Sequence, residues 1–349
     1  MPLSLPLRLT LDGDALISNW NWLRARAGKA ACGAAVKADG YGLGAREVVA
    51  ILSAAGCRDY FVATWAEAEA LMPLAWGTSL SVLHGVRAED MDAATTLPAR
   101  PVLNTPAQVA RWKGTNLPCD VMVDTGMNRL GLSVAEARSG LLDGLAIDTL
   151  MSHMACADEP GDAMNARQLA SFAEAAAAVP AKRYSLANSA AICLGPDYAF
   201  DLTRPGLALY GGVPRPDDED QQRGLQQVAH MEAQVLTVRT VRAGETVGYN
   251  ATYRAREDER VAIINLGYAD GFLRGFSDAA GAVRCGDEAL DIIGRVSMDL
   301  VAVRLGAEPA GEGDWLYVDY DLPQAAARSG LSQYELLTGL GARFDRRWL

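Results

Sequence analysis

The first two-thirds of the chain alternate short apolar runs with Ala-rich stretches of helical period. "GAAVK" (33–37), "YFVAT" (60–64), "LSVLHG" (80–85), "PVLN" (101–104), "DVMVDT" (120–125), "TLMSHM" (149–154), "YSLANS" (184–189) and "LALYG" (207–211) are the apolar runs. Between them lie "AREVVAILSAAG", "WAEAEALM", "TPAQVARWKG", "SVAEARSGLLDGL" and "NARQLASFAEAAAAV". The runs lack polar alternation, as strands covered on both faces do. Eight such strands with intervening helices, over about 220 residues, predict an α/β fold of the (β/α)8 barrel type. A doubly wound open sheet is the rival, but the first strand-to-helix turn lacks GxGxxG.

Near "PRPDDEDQQRGLQQ" (214–227) the texture changes to an acidic, Pro-containing stretch that reads as a linker or surface crossing. Beyond it, "HMEAQVLTVRTV", "ERVAIINLGY", "ALDIIGRVSMDLVAVRL" and "DWLYVDY" alternate and are punctuated by Gly, which predicts a second, mainly β domain. The expected division is 9–225 for the barrel and 226–349 for the β domain. The opening "LSLPLRLTLD" reads as a strand, and residues 1–8 are expected to join the second domain.

A length of 349 residues and 50% apolar content suit such an arrangement. A net charge of −11 argues against an extended nucleic-acid surface. No apolar run reaches 18 residues, so no membrane span is expected, and the start lacks the pattern of a secretory signal. The six cysteines are scattered, without a CxxC pair, and read as reduced residues of a cytoplasmic protein. Three histidines without HxxxH or HExxH spacing predict no metal site.

One residue choice stands out against this background. The chain has 28 arginines and four lysines, and one lysine, Lys37, closes the first barrel strand. Arg serves wherever a plain positive charge is enough, but only an amine can lose its proton in a dry pocket and attack a carbonyl. A strand-end lysine pointing into solvent is the plain alternative. A barrel gathers its chemistry at the C-terminal strand ends. Besides Lys37, those ends carry Arg129, His153, Asn188, Ser189 and Arg204. Each alone reads as a cap or an ion-pair partner. Together they would face one mouth, and Gly206 with its neighbours resembles the late-strand site where bare backbone N–H groups meet an anion.

In order and at family spacing, "VKADGYGLGA", "VDTGMNRLG", "SHMACADE", "LANSAA", "RPGLALYGG", "VGYNATYRA", "GYADGF" and "GRVSMDL" resemble the bacterial alanine racemases of the pyridoxal-phosphate (PLP) barrel type. The resemblance covers nearly the whole chain. It implies PLP as cofactor, held covalently by Lys37, and a head-to-tail homodimer acting on a small amino acid. Tyr41, Ser189, Gly206, Leu207 and Tyr210 would surround the phosphate, and Arg204 would face the pyridine nitrogen. Tyr249 would be a second catalytic residue reaching the partner's site, with Met298 and Asp299 lining the substrate pocket and Arg129 binding substrate. His153 would bond Tyr249 on one side and Arg204 on the other. Asp158, Tyr268, Arg274 and Arg295 would line the access channel.

The chemistry agrees with the resemblance. Racemisation removes a proton from one face of Cα and returns one to the other, which suits two bases. A free tyrosine, with a pKa near about 10, needs neighbouring positive charge to serve as one. Two departures mark this chain. Many members carry a lysine, carbamylated, where Met122 stands. The C-terminal "GLGARFDRRWL" places Ala342 where members often have Tyr, which would widen the pocket toward serine. A PLP-dependent decarboxylase would be expected to show Cys-Asp or Cys-Glu in place of "SMDL", and an acidic group in place of Arg204. A non-catalytic PLP-binding barrel would lack the β domain.

Overall fold

A computed structural model describes residues 4–307 and 309–349. The chain divides into two compact units. One comprises residues 16–209 and 213–226; the other comprises the residues through 15, then 210–212 and 227–349. Of the segment 1–8, the first three residues lie outside the described residues.

In the first unit seven parallel strands follow one another around a sheet: Ala34–Ala35, Asp59–Val62, Ser79–Val82, Arg100–Leu103, Pro118–Asp124, Ala146–Met151 and Arg183–Ser185. An eighth, Leu202–Thr203, pairs in parallel with Ala31–Cys32, the first half of strand one. Hydrogen bonds from Asp201 N to Tyr184 O (3.0 Å) and from Arg204 N to Ala187 O (2.8 Å) tie it back to strand seven, closing the barrel. Gly33 separates the halves of strand one because the second strand lies too close for a side chain. A Cβ there would sit 2.7 Å from Asp59 O.

The covering helices carry their own start signals. Thr64 and Thr105 accept a hydrogen bond from the backbone N–H of Glu67 and Gln108, and Asp162 accepts one from Met164 N–H. The helix Ala45–Ala55 buries Ala45, Val48, Val49 and Leu52 on one stripe and stops at Gly56, whose φ is +111°.

Two local expectations change. The eighth strand is Leu202–Thr203, and "LALYG" instead forms a 3₁₀ turn, Leu207–Tyr210. All four of its side chains are buried, so the run has no polar face to reveal its period. The acidic stretch near 220 contains the helix Glu219–Gly224, capped by Asp218. It packs within the barrel unit: Asn19 Nδ2 donates to Leu209 O and Gln226 O, and a Cβ on Gly224 would meet the Trp22 ring.

The second unit is built on the long strand Ala229–Val241. Leu7–Leu11 pairs antiparallel with it and parallel with Asp345–Trp348. Glu259–Asn265 and Trp315–Val318 also pair antiparallel with the long strand, and Leu300–Leu305 with Glu259–Asn265. Leu7, Leu9 and Leu11 alternate inward and are fully buried, as a half-buried strand requires. The helices Leu322–Ser329 and Gln333–Thr338 complete the unit. Among the described residues no helix is long and apolar enough to cross a membrane, and no cluster of His, Cys, Asp and Glu could hold a metal. All six cysteines are free.

Candidate active site

Lys37 leaves strand one into an uncommon backbone. Ala38, Asp39, Gly40, Tyr41 and Gly42 all have positive φ, between 52° and 86°, a left-handed turn. For a residue with a Cβ this conformation costs about 1–2 kcal/mol. Strain of this kind persists where surrounding structure over-determines it. Here Glu67 Oε1 accepts from Ala38 N–H (3.0 Å) and Asp39 Oδ1 from Ala45 N–H (2.9 Å). The turn sends Tyr41 back inside, where it is buried and its hydroxyl occupies the space beside Gly206. A Cβ on Gly206 would lie 2.1 Å from Tyr41 Oη.

Ser189 faces the same spot. Its Oγ accepts from Gly206 N–H (2.9 Å) and Ala208 N–H (3.3 Å), both at the start of the buried turn that holds Leu207 and Tyr210. Asn188, one residue earlier, caps the short helix after strand seven through Oδ1, which accepts from Ala191 N–H (2.9 Å). Two backbone N–H groups, a serine hydroxyl and a tyrosine hydroxyl thus converge over a glycine, a combination suited to a phosphate group.

The remaining strand ends supply positive charge. Arg204, after strand eight, is buried and lies 5.9 Å from the Phe61 ring centre. It donates to Ser185 Oγ and to the carbonyl of Ser152, and a bond to the His153 ring is not among its hydrogen bonds. Burial pulls its pKa down to about 10, against the stabilising charge of Asp120. His153 ends strand six, and Gln168 Nε2 donates to its carbonyl (2.9 Å). Burial, then the charges of Arg204, Arg129 and Lys37, push the imidazole down to about 3, so it is neutral at physiological pH. Burial, then Arg129, likewise lowers the Lys37 amine, while Glu67 opposes them. Such a lysine yields the free, nucleophilic amine more readily than an exposed one.

Arg129 lies on the loop after strand five, which is folded by Asp124. The Asp124 Oδ1 accepts from Gly126 N–H (2.8 Å) and Asn128 N–H (3.1 Å). Its guanidinium is exposed and has no hydrogen-bond or ion-pair partner among the described residues. Met122, in place of an ionisable bracing residue, is buried within strand five. Asp158 is exposed on the loop after His153.

The other expected site residues belong to the β unit. Tyr249 opens a 3₁₀ turn and is 67% exposed, and Met298 is 53% exposed on the turn that leads to Leu300. Tyr268 starts another 3₁₀ turn, with the Arg274 guanidinium 5.4 Å from its ring centre, and Arg295 is exposed. Asp299 is held by Arg343, whose other two bonds go to the buried Asp270. Sequence reading passed over Arg343, Ser185 and Glu67. Asp270 stood inside "GYADGF", but nothing there marked it as buried.

Residues 11–214 match the model of the alanine racemase N-terminal domain, and residues 228–348 that of the C-terminal domain. The chain belongs to the alanine racemase family. It is 42% identical to the alanine racemase of Methylobacterium nodulans, with 98% of this chain and 96% of that one covered. Identity to the Rhodospirillum rubrum alanine racemase is 41%, covering 97% and 95%. The crystal structure of the Bartonella henselae alanine racemase with covalently bound pyridoxal phosphate superposes with a TM-score of 0.90, at 32% identity, over 99% of this chain and all of that one. Family membership and fold thus agree with the resemblance drawn from the motifs, and a PLP-barrel racemase architecture is what both units present.

Proposed function

We propose that this protein interconverts L- and D-alanine in the cytoplasm as a head-to-tail homodimer, with PLP held covalently by Lys37. The observation that carries the reading is the pairing of a basicity-lowered Lys37 at strand one with the phosphate cradle of Tyr41, Ser189, Gly206 and Ala208. When bound, PLP supplies an electron sink for the charge left on Cα by proton removal. Everything else falls to the chain's own side chains.

Lys37 holds or takes a proton on one face of Cα, and Tyr249 of the partner subunit does so on the other. A tyrosine becomes a competent base when positive charge stabilises its phenolate. His153 is neutral and accepts no bond from Arg204, so that charge comes from Arg204 and Arg129 themselves. Arg204 retains its proton and would be the residue to meet the pyridine nitrogen, where it would offer no proton-holding carboxylate. That would weaken the sink and disfavour side reactions. Arg129 orients the substrate carboxylate, with Met298 and Asp299 of the partner subunit closing the pocket. Asp158, Tyr268, Arg274 and Arg295 line the approach. The exposure of Tyr249 and Met298 in a single chain supports their service to a second copy.

Ala342 is exposed at the C-terminal tail, and its small side chain favours acceptance of serine beside alanine. The test is direct. Purified protein should show a near-ultraviolet to visible cofactor band. Borohydride should fix the label on Lys37, and chiral analysis should show alanine of either hand becoming racemic. A label on another lysine, or alanine of unchanged chirality, would refute the proposal.

A further inference from the structure

Arg343 of the β unit joins two carboxylates, and the mechanism above does not use it. Its Nε and Nη2 grip the two oxygens of Asp270 at 2.6 and 2.8 Å, and its Nη1 donates to Asp299 Oδ1 at 2.7 Å. The Asp270 carboxylate is fully buried and also accepts from Gly267 N–H (3.0 Å). Around this charge three segments are knitted by backbone bonds. Tyr268 N–H donates to Ser297 O (3.1 Å), Ala269 N–H to Met298 O (3.0 Å) and Gly341 N–H to Asp270 O (3.0 Å). They approach so closely that a Cβ on Gly267 would lie 2.2 Å from Met298 O, and one on Gly341 2.7 Å from Ala269 O.

A lone surface Arg–Asp pair holds little, because both long side chains must be ordered to form it. Here the buried Asp270 has already ordered the guanidinium, so its third donor reaches Asp299 without that cost. The planar fork serves two carboxylates at once. A lysine ammonium, a point charge, cannot bridge them with the same geometry.

We propose that Arg343 is a positioning residue. It fixes the Met298–Asp299 turn through Asp299, and the Tyr268 turn through Asp270, in the shape the partner's substrate pocket needs. The inference rests on the reading that Met298 and Asp299 serve the partner subunit's site.

The variant Arg343→Lys keeps a counter-charge beside the buried Asp270. Its homodimer should show KM for alanine raised about ten- to hundredfold, the span of one charge-assisted hydrogen bond, with kcat changed less. Mixed dimers made with Lys37→Ala chains then locate the effect. The one live site takes Lys37 from the Arg343→Lys chain and its turn from the other chain, so KM should return to the wild-type value. A KM that stays raised in the mixed dimer, or one unchanged in the Arg343→Lys homodimer, would overturn the proposal. Should Arg343→Lys fail to fold, Asp299→Asn carries the same pair of measurements, since it leaves the Asp270 grip intact. Where both variants fold, the double variant should be no worse than either single one, and additive losses would refute the tether. Met298→Ala separates the two levels. An unchanged KM there removes the partner-pocket reading itself, whereas a raised KM with a silent Arg343→Lys removes only the positioning role.

Discussion

The division of the chemistry proposed for Lys37 and Tyr249 can be read one proton at a time. If they act on opposite faces of Cα, Tyr249→Phe removes one transfer and leaves the other. Racemisation in both directions should fall by about 10²–10⁴-fold, the usual worth of a general base. Exchange of the Cα hydrogen with solvent should survive for the one enantiomer whose proton faces Lys37, which the family resemblance implies is D-alanine. Deuterium incorporation into each enantiomer, followed by NMR, checks this. Equal residual exchange from both would point to one mobile base. The sequence showed Lys37 because an Arg-rich chain had spent a rare lysine there. It could not show Arg343, one arginine among 28, whose importance comes from a buried Asp270 lying 73 residues away along the chain. It also could not show that His153 is held neutral, since that depends on burial and on three cations gathered by the fold.

The turns that bring the proposed phosphate cradle together were only half legible. Gly206 was legible as part of an anion site, but nothing local showed that Ala38, Asp39 and Tyr41 would share the left-handed conformation of Gly40 and Gly42. Likewise the buried run Leu207–Tyr210 read as a strand, because an all-apolar stretch carries no period. The barrel strands were legible for the complementary reason: short apolar runs alternate with capped helical stretches. The packing of Tyr41 on Gly206 makes the cradle testable. Gly206→Ala introduces a Cβ 2.1 Å from the hydroxyl and 2.8 Å from the adjoining ring carbon, so the Tyr41 ring has to move. PLP affinity should drop about tenfold or more, as expected when a charge-assisted hydrogen bond is lost, with the melting profile little altered. Equilibrium titration of the apoprotein measures it, and an unchanged affinity would place the phosphate elsewhere.

Partly buried ion pairs of the barrel lie at the strand ends opposite the proposed site. At the N-terminal ends Arg100 binds Asp120 (3.1 Å) and Asp148 (3.3 Å), while Arg183 binds Asp148 (3.1 Å) and Asp59 (2.8 Å). Burial alone would raise the Asp148 carboxyl, but Arg100 and Arg183 hold it below its ordinary value. A carboxyl depressed in the folded state stabilises above its unfolded pKa, near about 3.9, and loses that contribution as pH falls through the folded value. Asp148→Asn should therefore cost about 1–3 kcal/mol at neutral pH, and the gap to wild type should narrow below about pH 4. Burial moves the fully enclosed Asp120 in the other direction, which makes Asp148 the cleaner probe. Chemical denaturation at several pH values tests this, and a gap that stays constant into acid would contradict it. At the level of the assembly, the central claim is that each site is made from two chains, Lys37 of one and Tyr249 of the other. Lys37→Ala and Tyr249→Phe proteins, each inactive as a homodimer, should regain activity when mixed and allowed to exchange subunits. Random exchange makes half the dimers mixed, each with one intact site, so recovery should approach about a quarter of the wild-type rate. No recovery despite demonstrated exchange would mean that both residues serve a site within one chain.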